Sequence, residues 1–213
     1  MEHKMVSIAD QVFEELERDI LVGAYARDEL LTEIKLSEKM GVSRTPIREA
    51  LRRLDQEHII EITPKGARVI GITPDDIRDI FEIRLRIEGL AARWAAEKAT
   101  DEDIASMKEV LDLQEFYTTK SSPEQLKNTD SRFHELLYAA SNSNALLDTL
   151  APLHRRIVKY RRASLSGQQR AEKSYDEHRA ILQAVINRDG DEAERLLRRH
   201  IENARDNILG REL

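Results

Sequence analysis

Two sets of side chains in this sequence have the types and spacing to do chemistry. The first combines a carboxylate with imidazoles. Asp130 and His134 are four positions apart, so on a helix both project from one face and can grip one ion. His178 sits in an apolar-periodic stretch with Ile181, Leu182 and Val185, and His200 is flanked by Leu196, Leu197 and Ile201. An imidazole on such a buried stripe needs a partner or costs stability. One Asp and three His from three helices make an N3O donor set suited to zinc, nickel, cobalt, manganese or iron as the divalent ion. On spacing alone, histidines simply satisfied within a core remain the favoured alternative. A D-x3-H pair is common, and the gaps to His178 and His200 are long.

The second set is cationic and hydroxylic, in KMGVSRTPIREALRRL, residues 39–54. Ile47, Ala50, Leu51 and Leu54 recur at helical spacing and form one apolar stripe. The opposite face carries Arg44, Thr45, Arg48 and Arg52, with Ser43 at the start. Such a helix can enter a DNA major groove. Hydroxyls and the helix N-terminus would take phosphates, while guanidiniums pair bidentately with guanine O6 and N7. From Lys39 to Arg53 five basic residues face Glu49 alone, a local +4 in a chain of net charge −6. Taken in isolation, the stretch reads more readily as a solvated Arg-rich surface helix, and it is the context that turns the balance toward DNA.

The elements that must position these groups follow from punctuation and period. Gly41 supplies a turn with positive φ, Ser43 is an N-cap, and Pro46 falls in the first helical turn. Upstream, Ser7 to Val22 reads as an amphipathic helix on Ile8, Val12, Leu16 and Ile20, ended by Gly23. Thr32 caps a short helix, Glu33 to Met40, which turns Ile34, Leu36 and Met40 inward. Downstream, IIEITPKGARVI (59–70) is a hairpin with Lys65 and Gly66 at its tip and Arg68 close by. A small basic tip suits a minor groove, although an ordinary solvated turn explains it as well. Three helices followed by a hairpin make a winged helix-turn-helix, assigned to residues 1–71.

Thr73-Pro74-Asp75-Asp76 is a helix start, and no strand pattern follows it. Helices are predicted over about 75–98, 101–118, 123–140, 145–164, 169–188 and 191–209, with a capping box at Ser122 and a tight turn at Asp189-Gly190-Asp191. The fold class is therefore mainly α, with residues 72–213 forming an all-α six-helix antiparallel bundle large enough for an internal pocket. The chain has no Cys, which excludes a disulfide framework and Cys-ligated zinc. No apolar run reaches the ~18–20 residues of a membrane span, and no signal-peptide core opens the chain, so a cytoplasmic location is expected.

GVSRTPIREALRRL followed by PKGARV resembles the signature of the GntR family of bacterial transcription regulators, over roughly Ser7 to Ile70. Carried over by position, that resemblance puts DNA contacts on Ser43, Arg44, Thr45, Arg48, Lys65 and Gly66. The chain departs from the pattern at Arg27-Asp28, where Pro-Gly is usual, and at Glu57-His58, where an acid-Gly pair is usual. Residues 73–207 are similar to the FCD ligand-binding domain of the FadR subgroup in FEIRLRIEGLAARWAAEKA, DSRFHELLYAASNSNAL and EHRAILQAVINRDGDEAERLLRRHI; six helices match the VanR-like branch. In metal-binding members the ligands would correspond to Asp130, His134, His178 and His200, with zinc the first expectation. The resemblance places Arg84 where an effector-facing Arg sits, although an ion pair with Glu88 explains it nearly as well. Asn144 matches the S-x-N of the pattern or caps the fourth bundle helix. Arg161 and Arg162 are further candidates for the cavity. His154 matches no ligand position and reads as surface or ligand-adjacent.

The expected function is a metabolite-responsive DNA-binding repressor. It would bind a short palindromic operator as a homodimer and be released by a small organic acid at the metal site. Two alternatives stand beside it: a helical metalloenzyme built on the Asp/His3 site, and an FCD-type regulator that binds no metal.

Overall fold

The computed structural model describes residues 7–120, 122–163 and 168–210. The chain divides into two compact units, one ending at Thr73 and one starting at Pro74, two residues beyond the predicted boundary.

In the first unit, α1 (Ile8–Leu21) opens on a capping box. Ser7 Oγ accepts from the Asp10 N–H at 3.0 Å and the Asp10 carboxylate accepts from the Ser7 N–H at 3.3 Å. Val12, Phe13, Leu16 and Ile20 are buried, whereas Ile8, the first helical residue, is exposed and outside the stripe predicted to hold it. A two-residue strand, β1 (Leu30–Leu31), precedes α2 (Glu33–Met40). Thr32 caps α2 through its Oγ1, and Gly41 ends it in the left-handed conformation at φ 65°. Leu36 of α2 is buried, but Ile34 points outward at 57% exposure, against the inward placement expected of it. Then α3 (Arg44–Gln56) runs with Ile47, Ala50, Leu51 and Leu54 all buried in one core with α1 and the sheet. Ser43 holds the N-cap backbone position, yet its side chain makes no capping bond.

The wing is β2 (Ile60–Thr63) and β3 (Gly66–Val69), joined at Pro64-Lys65. The sheet has three strands in the order β1-β3-β2, all antiparallel, with Leu30 opposite Arg68 and Leu31 opposite Ala67. Strand β1 is too short to carry a period and was not legible in the sequence. It explains Gly66: a Cβ there would lie 2.7 Å from the Leu31 carbonyl oxygen, and φ is 138°. Asp28 (φ 66°) and His58 (φ 56°) both take the left-handed conformation that glycine favours. These are the two positions at which the sequence lacks the glycine of the family pattern, so the turns are kept and the residue type is not.

The second unit contains six helices among the described residues: α4 (Pro74–Lys98), α5 (Asp101–Thr119), α6 (Pro123–Ala140), α7 (Asn144–Ala163), α8 (Gln168–Ile186) and α9 (Gly190–Leu209). Helix α4 packs against α6, α7, α8 and α9, and α5 against α6 and α8. Its Ala91, Ala92, Ala95 and Ala96 are fully buried, a small-residue face that lets neighbouring helices approach. Thr100 forms a capping box with Asp103, and Asp189 caps α9 by accepting from the Glu192 N–H at 3.0 Å. At Ser122 the predicted capping box is not formed; the side chain makes no cap bond. No described helix is long and apolar enough to cross a membrane.

Candidate metal centre and nucleic-acid interface

Helices α6, α8 and α9 bring the predicted imidazoles to one point. His134, His178 and His200 are all buried, and each offers a ligand atom within 4.8 Å of the others. Asp130 lies one turn before His134 on α6, and its Oδ1 is 3.8 Å from His178 Nε2. Ser174 Oγ donates to that same Oδ1 at 3.0 Å.

Each histidine is anchored through its Nδ1. His134 Nδ1 is 3.1 Å from Glu88 Oε1, His178 Nδ1 3.1 Å from Gln114 Oε1, and His200 Nδ1 2.7 Å from Glu177 Oε2. These partners are acceptor oxygens, so each Nδ1 carries the proton and Nε2 is the nitrogen that keeps a lone pair. A histidine that binds metal through one nitrogen and donates from the other to an acceptor has this arrangement. His134 Nε2 and His200 Nε2 are 3.2 Å apart. Two nitrogens about 2.0–2.1 Å from one zinc ion would be separated by about 2.9–3.4 Å, depending on whether the angle is near octahedral or tetrahedral. The donor set, its burial and its spacing fit a divalent transition metal.

A second group, Glu88, His134 and His154, is equally compact and shares His134. Its chemistry is different, because Glu88 is already engaged. Arg84 donates to it from Nε at 2.6 Å and from Nη2 at 3.1 Å, and Tyr138 donates its hydroxyl at 2.5 Å. A fully buried guanidinium beside it disfavours a cation there, so this group positions His134 and does not hold a second ion. Burial would raise the Glu88 carboxyl, but Arg84 and His134 outweigh it and hold the group well below the usual range. Burial and the Glu88 charge push the Tyr138 hydroxyl well above its ordinary value. Burial, His134 and Arg84 hold the His154 imidazole well below its own, so it stays neutral.

Arg84 is therefore spent on the Glu88 ion pair, the alternative reading of its place in the sequence, and also reaches His154 Nδ1 at 3.2 Å. His154 is buried beside Arg84 and 4.0 Å from Asp130, not at the surface. The structure does not bring Asn144 to this centre. It is the exposed first residue of α7, and the neighbouring Ser143 supplies the cap, accepting from the Leu146 N–H at 3.3 Å. The side chains of Arg161 and Arg162 lie outside the described residues. Sequence reasoning paired Glu88 with Arg84 but missed its contact with His134, and it missed Gln114, Tyr138, Ser174 and Glu177 as partners. Tyr138 carried a usable signal, its i,i+4 spacing to His134; Gln114, Ser174 and Glu177 meet their partners only across helices.

On the first unit, Ser43, Arg44, Thr45, Arg48 and Arg52 are all exposed, as the groove-facing reading requires. A surface groove of about 440 Å³ is bordered by Arg44, Arg48 and Arg52 of α3 and by Ile62, Lys65 and Gly66 of the wing. Arg44 and Arg48 both pair with Glu33 at the start of α2. Arg53, by contrast, turns inward on the unit. It binds Asp10 at 2.7 Å and lies 4.0 Å over the Phe13 ring.

A basic, exposed helix beside a basic wing, followed by a helical bundle with a buried polar centre, is the architecture of a winged-helix transcription regulator with a C-terminal helical domain. Residues 8–70 match the family model for bacterial regulatory proteins of the gntR family, and residues 79–203 match the FCD domain. The chain is 33% identical over 182 residues to the Nta operon transcriptional regulator of Aminobacter aminovorans, covering 85% of each. It is 28% identical over 202 residues to the HTH-type transcriptional repressor RspR of Escherichia coli, covering 94% of this chain and 89% of the other. The solved structure of E. coli McbR/YncC shares its fold, with a TM-score of 0.73, 24% identity, and coverage of 98% of this chain and 100% of that one. The chain belongs to the GntR family, with an FCD domain. It is a DNA-binding transcriptional regulator and not an enzyme, which sets aside the metalloenzyme alternative.

Proposed function

We propose that the protein is a metabolite-responsive repressor that binds a short palindromic operator as a homodimer. A divalent transition metal, zinc by first preference, sits in the bundle on Asp130, His134, His178 and His200. A small carboxylic acid bound beside it releases the DNA. The observation that carries this reading is the common anchoring of His134, His178 and His200 through Nδ1, which leaves three Nε2 lone pairs in one buried place. When bound, such a metal supplies a Lewis-acid position for a carboxylate oxygen.

The chain's own residues supply the rest. Glu88, Gln114 and Glu177 fix the ring orientations. Arg84 donates to His154 Nδ1, so the neutral His154 carries its proton on Nε2, a buried donor without a hydrogen-bond partner among the described residues. That N–H suits an effector oxygen, and Arg84 behind it adds favourable charge without direct contact. Arg44, Thr45, Arg48 and Arg52 read the major groove, Ser43 takes a phosphate, and Lys65 and Gly66 at the wing follow the minor groove. One recognition helix reads few base pairs, which is the reason for two copies. Exposed Ile83, Leu113 and Phe116 on α4 and α5 offer apolar surface for pairing. Work on bacterial DNA implies the cytoplasm.

Metal analysis of protein purified without a chelating tag tests the first half: about one ion per chain is expected, lost in a His178→Ala, His200→Ala double variant. Retention of full metal content in that variant overturns the site. For the second half, binding to the promoter beside its own gene at fixed salt should fall on adding the cognate acid.

A further inference from the structure

Among the described residues, Glu33 is the one carboxylate bonded to both arginines assigned to base reading. It is the first residue of α2, and it faces Arg44 and Arg48 on successive turns of α3. Glu33 Oε2 accepts from Arg44 Nε at 3.1 Å, Arg44 Nη2 at 2.8 Å and Arg48 Nη2 at 2.8 Å; Oε1 accepts from Arg48 Nε at 2.9 Å. The side chain of Glu33 is 26% exposed, those of Arg44 and Arg48 56% and 50%. An acid on a surface that must meet phosphate is unfavourable unless it does something there.

The pattern of atoms indicates what. A guanidinium has two edges able to make paired hydrogen bonds, a side edge of Nε with one Nη and an end edge of the two Nη nitrogens. Glu33 takes the side edge of both arginines. The end edge of each, which is the edge that matches guanine O6 and N7, is not needed for it. One acid shared by two guanidiniums also leaves the group with net positive charge.

We infer that Glu33 is a positioning residue for sequence reading, holding Arg44 and Arg48 by their side edges so that their end edges meet guanine in the operator. It stays in place in the complex and is not a mask that DNA must displace. This rests on the assignment of Arg44 and Arg48 to base contacts, and the experiment separates the two claims.

An operator duplex is first selected from randomised DNA with the unaltered protein. Affinities for it and for a scrambled duplex are then measured at one salt concentration for Glu33→Ala, Glu33→Gln, Arg48→Ala and the Glu33→Ala, Arg48→Ala double variant. Glu33→Ala is expected to lower the operator-to-scrambled ratio by roughly 10-fold, with scrambled DNA bound as tightly as before or more tightly. Glu33→Gln should restore part of the ratio, since its amide oxygen still accepts. In the Arg48→Ala background, the loss from Glu33→Ala should shrink, because part of what Glu33 positions is gone. A ratio unchanged in Glu33→Ala while Arg48→Ala lowers it overturns the positioning role. Tighter binding to both duplexes with the ratio kept identifies a mask and also overturns it. An unchanged ratio in Arg48→Ala overturns the base-reading assignment beneath it.

Discussion

The two units of the chain handle the same chemical pairing, an arginine with a glutamate, in opposite ways. In the first unit Arg44 and Arg48 share Glu33 at the surface, with the arginine side chains half exposed. In the second, Arg84 and Glu88 pair at 2% and 0% exposure, and every hydrogen-bonding atom of the Glu88 carboxylate has a partner in Arg84, Tyr138 or His134. Water and salt screen the first arrangement, so it contributes little to folding and its charge is available to a partner. The second has no water to fall back on, so each member depends on the rest. The difference separates a surface built to be met from a centre built to stay fixed.

The largest effect should come from breaking the buried pair. Glu88→Ala leaves the Arg84 guanidinium buried without its counter-charge and removes the acceptor that orients His134, a loss of about 3–5 kcal/mol. Removing Glu33 from its surface pairs should cost at most about 1 kcal/mol. Urea unfolding of the two variants gives the comparison directly. Replacing both partners, Arg84→Met with Glu88→Leu, should recover much of the loss, since neither charge is then stranded. Equal destabilisation by Glu88→Ala and Glu33→Ala would remove the contrast.

Much of this organisation was legible because it rests on short-range rules. The apolar stripe Ile47, Ala50, Leu51, Leu54 fixes which face of α3 is buried, and the arginines then have only the outer face left. Asp130 with His134 is a one-turn pattern. What stayed hidden depends on contacts between segments far apart in the chain. Gln114 and Glu177 matter only because α5 and α8 place them beside His178 and His200. A glutamine or glutamate on a helix surface looks the same in sequence whether or not an imidazole will meet it. Ile34 was misplaced for a related reason: on a helix of eight residues the apolar period has too few turns to fix a face.

A smaller effect, on titration, sharpens the surface side of the contrast. Hydrogen bonds from Arg48 and then Arg44 lower the Glu33 carboxyl from 4.5 to about 2. The folded value lies below the unfolded one, so the contribution to stability is complete above about pH 4.5 and is lost as pH falls through about 2. A carboxyl-detected NMR titration should therefore find Glu33 still charged at pH 3. In Arg48→Ala, which removes the larger cause, the midpoint should move up toward 4.5. A midpoint near 4.5 in the unaltered protein would show that the shared pairing does not persist in solution.

The smallest effect tests the backbone that carries the recognition surface. His58 links α3 to the wing at φ 56°, a conformation that costs a residue with a Cβ on the order of 1 kcal/mol and costs glycine nothing. Against that, glycine loses more chain entropy on folding, about 0.5–1 kcal/mol where the backbone is otherwise relaxed. The His58 side chain is exposed and the turn is closed by backbone bonds, His58 N–H to the Asp55 carbonyl at 2.9 Å and Ile59 N–H to the Leu54 carbonyl at 3.0 Å, which glycine at position 58 would keep. His58→Gly should therefore be neutral to stabilising, by up to about 1 kcal/mol, read as a rise of at most a few degrees in melting temperature. Asp28→Gly is the contrasting case, since aspartate tolerates this conformation better and its carboxylate binds Arg68 at 2.7 Å. It should gain less than His58→Gly or lose slightly. A clear destabilisation by His58→Gly would mean that the left-handed turn is not what the residue before the wing has to provide.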